Sequence, residues 1–341
     1  MSATPAANWT RRSAESVTGS PFARSRIAAR SFDPEAVRAA LRPLDFSGLS
    51  VISGAEQDYF AFYGIDLAHR VPGVTHHFGR LAANGFEIAC HFYELAGARG
   101  TCVLLHGYFD HAGLYGRLIE HCLRHGHSVL IWDLPGHGLS NGPQASIHDF
   151  EDYTDVLALV LEHHRDRLRG PLYAIGQSTG GAVLMSWAFR KCRSAAECPF
   201  ARIALLAPLV RPARWRHVNL LYTVLRPFRS GVRRKFMPNS GDTEFLAFVR
   251  NDPLQSTILP VQWVGAMRRW IREFREHPVT DFAPLVIQGN ADETVDWKWN
   301  LPMVREKFPR AEVRMIAGAR HHLVNEAEAL REEVFAALGL A

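Results

Sequence analysis

A serine held between two glycines, directly behind an apolar run and ahead of an amphipathic one, is the arrangement in this chain best suited to chemistry. Gly176-Gln177-Ser178-Thr179-Gly180 follows Leu172-Tyr173-Ala174-Ile175 and precedes Ala182, Val183, Leu184, Trp187 and Ala188. The first run reads as a buried strand and the second as the apolar side of a helix. A serine on so sharp a strand-to-helix turn presents its hydroxyl outward, and a side chain at either glycine would strike the crossing backbone. The bland alternative is a glycine-rich turn that only packs strand on helix. The placement instead predicts nucleophilic attack by Ser178.

A serine hydroxyl is a poor nucleophile at neutral pH. It needs a histidine base, an acid to orient that base, and amide donors for the oxyanion. In the chain order Ser, Asp, His that accompanies such elbows, the acid follows a late strand. Pro284-Leu285-Val286-Ile287-Gln288-Gly289-Asn290-Ala291-Asp292 supplies strand and turn, which nominates Asp292, with Glu293 and Asp296 as fallbacks. The next strand-like run, ending at Ile316, leads into Gly318-Ala319-Arg320-His321-His322, and the residues alone do not choose between the two histidines. For the oxyanion, one donor is the backbone N–H of Thr179, just after the nucleophile. The other is assigned to the N–H of Tyr108, in the loop that opens His106-Gly107 after the run Thr101 to Leu105.

These groups need a scaffold. Strand-like runs at Thr101–Leu105, Ser128–Trp132, Leu172–Ile175, Ile203–Leu206, Leu285–Gln288 and Val313–Ile316 alternate with helical patterns. That alternation predicts an α/β fold with a mostly parallel sheet covered on both faces. Two more runs, Thr75 to Arg80 and Phe86 to Leu95, flank the hairpin signal Asn84-Gly85. Residues 75–341 read as the catalytic domain. Residues 1–74 read as an N-terminal extension, with 1–30 expected to be disordered, Asp33-Pro34 capping a helix, and Tyr59 to Tyr63 packing on the main domain. Between about 211 and 278 the strand-helix alternation breaks and helical, Trp-rich patterns predict an inserted cap. Within it Trp263, Val264, Met267, Trp270, Ile271 and Phe274 form an apolar stripe, either ordinary packing or the lining of an acyl-chain channel.

Four motifs carry a resemblance. His106-Gly107-Tyr108-Phe109-Asp110-His111-Ala112-Gly113, Asp133-Leu134-Pro135-Gly136-His137-Gly138-Leu139-Ser140, Gly176-Gln177-Ser178-Thr179-Gly180-Gly181 and Gly318-Ala319-Arg320-His321 together resemble the monoacylglycerol lipase and lysophospholipase group of α/β-hydrolases. The resemblance runs from about residue 75 to the end. It implies a serine hydrolase acting on fatty-acid esters, selects His321 over His322 as the base, and matches Asp292 to the acid of the Gly-x-x-Asp turn. Two departures stand out: Gln177 and Thr179 occupy places where the group often has His and Met, and residues 1–74 have no counterpart in its compact members. A peptidase or small-ester esterase of the same fold is the catalytic alternative, and a ligand-binding or scaffold protein the non-catalytic one. Loss of a triad member would favour the latter, and all three are present.

Charge and composition bound the partners. The formal net charge of +5 is concentrated locally: residues 211–235 hold eight basic side chains and no acid. Residues 1–30 add five arginines against Glu15, and the rest of the chain is net acidic, which argues against a nucleic-acid partner. Trp215, Val218, Leu221, Tyr222 and Leu225 recur at helical spacing among those arginines, a pattern able to lie on an anionic membrane or to hold an anionic headgroup. No apolar run reaches the roughly eighteen residues of a membrane span, and five cysteines show neither zinc spacing nor a dense disulfide framework, so a cytoplasmic protein is expected. His121 and His125 have the i, i+4 spacing of metal ligands, but Gly126 marks the helix end, where histidines are favoured without metal. Triad chemistry requires no metal or organic cofactor.

Overall fold

The structure, a computed structural model, describes residues 31–47, 51–192 and 194–340. The expectation for residues 1–30 lies outside the described residues. Among the described residues, ten strands and ten α-helices follow in this order: α1 (Pro34–Ala40), α2 (Gly54–Tyr63), β1 (Val74–Ala83), β2 (Phe86–Leu95), β3 (Gly100–Leu105), α3 (Gly116–Arg124), β4 (His127–Trp132), α4 (Phe150–His163), β5 (Leu172–Gln177), α5 (Thr179–Arg190) and β6 (Phe200–Leu206). Then follow α6 (Trp215–Leu225), β7 (Gly231–Arg233), α7 (Thr243–Arg250), β8 (Ile258–Pro260), α8 (Val261–Glu276), β9 (Leu285–Gly289), α9 (Trp297–Lys307), β10 (Glu312–Ile316) and α10 (Glu328–Leu338).

Eight strands form one sheet in the order β1-β2-β4-β3-β5-β6-β9-β10. β1 and β2 are an antiparallel hairpin whose turn residues, Asn84 and Gly85, both have positive φ, the geometry that matches strand twist in a two-residue loop. From β4 to β10 every pairing is parallel. The central strands are buried on both faces, and their side chains alternate between two cores. Val103, Leu105, Leu130 and Trp132 join one apolar cluster with α4, α5 and α8, while Cys102, Leu104, Val129 and Ile131 join the other with α3 and α10. The mostly parallel, doubly covered sheet expected from the sequence is therefore present.

α1 and α2 carry conventional start signals: Asp33 caps the Glu35 N–H at 2.9 Å, and Ser53 with Glu56 forms a reciprocal capping box. Tyr59, Phe60 and Tyr63 of α2 are buried in the second core, and Tyr63 donates a 2.6 Å hydrogen bond to Asp252. α3 stops where Gly126, at φ 79, allows the chain to turn, and the His125 ring lies 2.8 Å from the His121 carbonyl of its own helix.

The interval between β6 and β9 differs from the all-helical cap expected. Besides α6, α7 and α8 it contains the antiparallel pair β7-β8, closed by Val232↔Leu259. The stripe of α8 is buried throughout. α6 is different: Trp215, Val218 and Tyr222 pack inward, with Tyr222 filling the space left by Gly265 of α8, but Leu221 is 57% exposed and does not belong to the packed stripe. Leu220, Val224 and Phe228 project outward with it. Helical spacing alone could not tell which side of α6 meets α8.

Candidate active site

The elbow is built as the glycines require. Ser178 has φ 52 and ψ −108, a region that costs a non-glycine residue about 1–3 kcal/mol and persists only where the surroundings over-determine it. Three backbone bonds do so here: the Ser178 N–H donates to Leu206 O at 2.8 Å, and its carbonyl accepts from Ala182 and Leu209 at 3.1 Å each. A Cβ on Gly176 would lie 2.5 Å from Gly180 backbone, and one on Gly180 would lie 2.2 Å from Leu105 O, so neither position admits a side chain.

The loops after β9 and β10 bring Asp292 and His321 together. His321 Nδ1 donates to Asp292 Oδ2 at 2.8 Å. Asp292 Oδ1 accepts from the N–H groups of Thr294 and Val295 at 2.7 and 3.1 Å, and Oδ2 also accepts from Gln288 Nε2 at 3.1 Å. Burial works against the charge of this carboxyl, but the imidazole and these donors outweigh it and hold it below its ordinary range. For His321 burial disfavours the cation, and the Asp292 charge more than offsets it, raising the pKa above 6.5. The fallback acids are elsewhere: Asp296 pairs with Arg211 and Glu293 is exposed.

The neighbouring histidine faces another way. His322 is buried with Nε2 3.2 Å from Asp110 Oδ2, too poorly aligned for a hydrogen bond, and its ring packs against Phe245. Asp110 belongs to the loop after β3. There Tyr115 hydroxyl accepts from the Gly107 N–H at 2.9 Å and donates to Asp110 at 3.1 Å. Gly107 abuts the elbow, since a Cβ on it would lie 3.5 Å from Ser178 Cβ. Tyr108 follows Gly107; its ring stacks on Trp263 of α8 with centroids 3.7 Å apart and its hydroxyl donates to Ala145 O at 2.7 Å. Thr179 is the first residue of α5, so its N–H has no partner within the helix. His106, His111 and His137 brace structure: His106 accepts from Leu134 N–H at 2.9 Å, His137 bonds Pro135 O, and His111 pairs with Asp252 at 2.8 Å.

Several side chains in this neighbourhood carried no sequence signal. Gln177 Nε2 donates to the His321 carbonyl at 2.8 Å. Glu326, fully buried, accepts from Arg320 N–H and Gly241 N–H at 2.6 and 2.7 Å and so ties the histidine loop to the cap. The Gln177–His321 and Glu326–Gly241 contacts join segments distant in the chain. Only the polar residues inside otherwise apolar stretches, Gln288 and Glu326, could have hinted at buried partners.

A profile of the family described as "Serine aminopeptidase, S33" matches residues 96–328, more than half of the chain. The chain belongs to this α/β-hydrolase family. The hydrolase is 26% identical to monoglyceride lipase of Rattus norvegicus over 268 residues, covering 72% of this chain and 82% of the relative. It is 24% identical over 257 residues to a monoglyceride lipase homolog of Monkeypox virus, covering 72% and 91%. Its fold is that of a soluble variant of monoglyceride lipase from Saccharomyces cerevisiae, with a TM-score of 0.66 at 18% identity over 79% of this chain and 96% of that one. The resemblance drawn from the four motifs is thereby borne out.

Proposed function

We propose that this hydrolase cleaves carboxylic esters of fatty acids, a monoacylglycerol or a lysophospholipid, through an acyl-enzyme on Ser178. The observation that carries the reading is the Asp292–His321 hydrogen bond on a loop tethered to the elbow by Gln177. The relatives named monoglyceride lipase support the substrate class.

In this reading Ser178 Oγ attacks the ester carbonyl carbon while His321 Nε2 takes the hydroxyl proton. The oxyanion is stabilised by the Tyr108 and Thr179 N–H groups, a contribution worth about 2.7–4 kcal/mol for one such donor. Collapse breaks the C–O bond, and His321 returns the proton to the leaving alcohol. Water then attacks the acyl-serine, giving its proton to His321, and the fatty acid leaves with Ser178 regenerated. Asp292 holds His321 in the tautomer that keeps Nε2 free to accept. None of these steps calls for a metal or organic cofactor.

We place the enzyme in the cytoplasm, on the surface of the membrane that supplies its substrate. No helix of the described residues is long and apolar enough to cross a membrane. Support for a peripheral contact comes from α6, where exposed Leu220, Leu221, Val224 and Phe228 accompany Arg214, Arg216, Arg226 and Arg229.

The test is active-site labelling. A fluorophosphonate should modify the wild type at Ser178, located by peptide mass spectrometry, and should not modify Ser178→Ala. Ester turnover of that variant should fall by at least about a thousandfold. Labelling that survives the substitution overturns the assignment. A panel of acylglycerols, lysophospholipids and aminoacyl anilides separates ester from peptide chemistry.

A further inference from the structure

The short strand β7 delivers Arg234 to the edge of the oxyanion loop, and the surroundings of its guanidinium are unusual. Cζ lies 3.9 Å from the ring centroid of Phe109, the residue between Tyr108 and Asp110, and 4.8 Å from that of Phe236. Nη1 donates to Gln255 Oε1 at 2.5 Å and to Ser256 O at 3.4 Å, and the Arg234 N–H is fixed to Thr257 O. Among the described residues no carboxylate lies within ion-pair distance of this guanidinium, and Nε and Nη2 have no hydrogen-bond partner. Gln255, whose oxygen holds Nη1, has its own Nε2 shielded from solvent and likewise without an acceptor.

Of these donors only Gln255 Nε2 is shielded from solvent without an acceptor, which is costly, whereas the remaining guanidinium N–H groups of half-buried Arg234 are open to solvent and so to an incoming acceptor. A guanidinium serving only to clamp the cap on Phe109 would gain from an acid beside it. The acids whose field reaches it are held by other partners, Asp252 by His111 at 2.8 Å and Tyr63 at 2.6 Å, and Asp110 by Tyr115 at 3.1 Å. Arg250 brings a second guanidinium near Phe236, 5.7 Å from its centroid. Arginine forks and amide N–H groups converging without an acceptor fit a phosphate or carboxylate.

We propose that Arg234, held in place by Gln255, binds an anionic group on the alcohol portion of the substrate, so that the enzyme prefers a charged lysophospholipid-type ester to a neutral monoacylglycerol. The proposal rests on the fatty-acid esterase reading and names which of its two substrate classes is favoured. Arg234 lies over Phe109, the residue after Tyr108, which places its guanidinium next to the proposed oxyanion site.

The experiment follows hydrolysis of p-nitrophenyl butyrate, a short neutral ester, in the presence of decyl phosphate or decylglycerol ether, neither of which can be hydrolysed. Decyl phosphate should inhibit competitively, and its inhibition constant should rise about tenfold or more in Arg234→Gln and several-fold in Gln255→Leu. The constant for decylglycerol ether should change by less than about twofold. For lipid esters, the kcat/KM ratio of oleoyl lysophosphatidate to monooleoylglycerol should fall about tenfold in Arg234→Gln. Equal inhibition of wild type and Arg234→Gln by decyl phosphate overturns the proposal, as does a parallel loss for both inhibitors, which marks a clamp. If the wild type cleaves neither oleoyl ester while the decyl phosphate effect holds, the lipid-ester reading fails and the anion site stands. Should Arg234→Gln not fold, Arg234→Lys retains the charge without the fork, and Gln255→Leu leaves the arginine intact.

Discussion

The carbonyl of His321 accepts a 2.8 Å hydrogen bond from Gln177 Nε2, across 144 positions of sequence. The residue before the proposed nucleophile thus fixes the backbone of the proposed base. Misplacing a catalytic group by 1 Å can cost a hundredfold, so this tether should be felt in kcat. We expect Gln177→Leu to lower kcat by about ten- to a hundredfold with little change in KM, because the carbonyl loses its donor. Gln177→His, whose ring N–H can donate, should retain more. Steady-state kinetics with melting curves for both variants check this, and an unaffected Gln177→Leu would refute the tether.

His321 and His322 are adjacent in sequence but face different carboxylates, Asp292 and Asp110. Only the first is held on an acid with a hydrogen bond. His321→Ala should therefore nearly abolish ester turnover, while His322→Ala should leave much of it, the loss reflecting a less well fixed Asp110 loop. Single-turnover acylation rates separate the two. Equal losses would leave the base unassigned, and the reverse order would overturn the reading.

The raised pKa of His321 has a definite consequence for rate. Burial disfavours the cation, yet Asp292 more than offsets this, so the ring stays protonated to a pH above its ordinary 6.5. The base works only when neutral, and kcat/KM should rise with pH through a midpoint above 6.5. Asp292→Asn removes the stabilising charge, so the midpoint should move to lower pH while the plateau drops, by somewhat less than in Ser178→Ala. A kcat/KM profile from about pH 5 to 9 on both proteins tests this. A midpoint that Asp292→Asn leaves in place would show that Asp292 does not set it.

What the sequence made legible follows from how local each signal is. The central strands of the main sheet were readable because parallel strands buried on both faces are short, continuous apolar runs, and the hairpin because Asn84 and Gly85 both need positive φ. The elbow was readable because Gly176 and Gly180 meet backbone that no side chain could tolerate. The β7-β8 pair was missed because three residues per strand carry no periodicity. The stripe of α6 read as membrane-facing was misjudged at Trp215, Val218 and Tyr222, which pack inward and leave Leu221 exposed, because the space for Tyr222 depends on Gly265, over forty residues away. Gln177 and Glu326 reach partners on other loops, His321 and Gly241, which spacing along one segment cannot reveal.

The outward face of α6 supports the last prediction. Leu220, Leu221 and Val224 of α6, and Phe228 just beyond it, are 64%, 57%, 56% and 80% exposed. Arg214, Arg216, Arg226 and Arg229 lie on and beside the same helix. Burying such side chains in a lipid interface gains about 25 cal/mol per Å² of apolar surface, and each arginine near an anionic surface adds about 1 kcal/mol. The two contributions respond to different variables. The charge contribution is screened beyond about 10 Å at 0.1 M salt, while the apolar one persists. Cosedimentation should therefore recover more protein with anionic than with neutral vesicles, and high salt should reduce that excess. Leu221→Asp with Phe228→Asp should lower recovery with both lipids while leaving hydrolysis of a short soluble ester within about twofold, since neither residue touches the elbow or its partners. Equal recovery with both lipids, or an excess on anionic vesicles that salt does not reduce, would rule out the charge-assisted contact. Unchanged recovery of the double variant would remove α6 from the membrane reading.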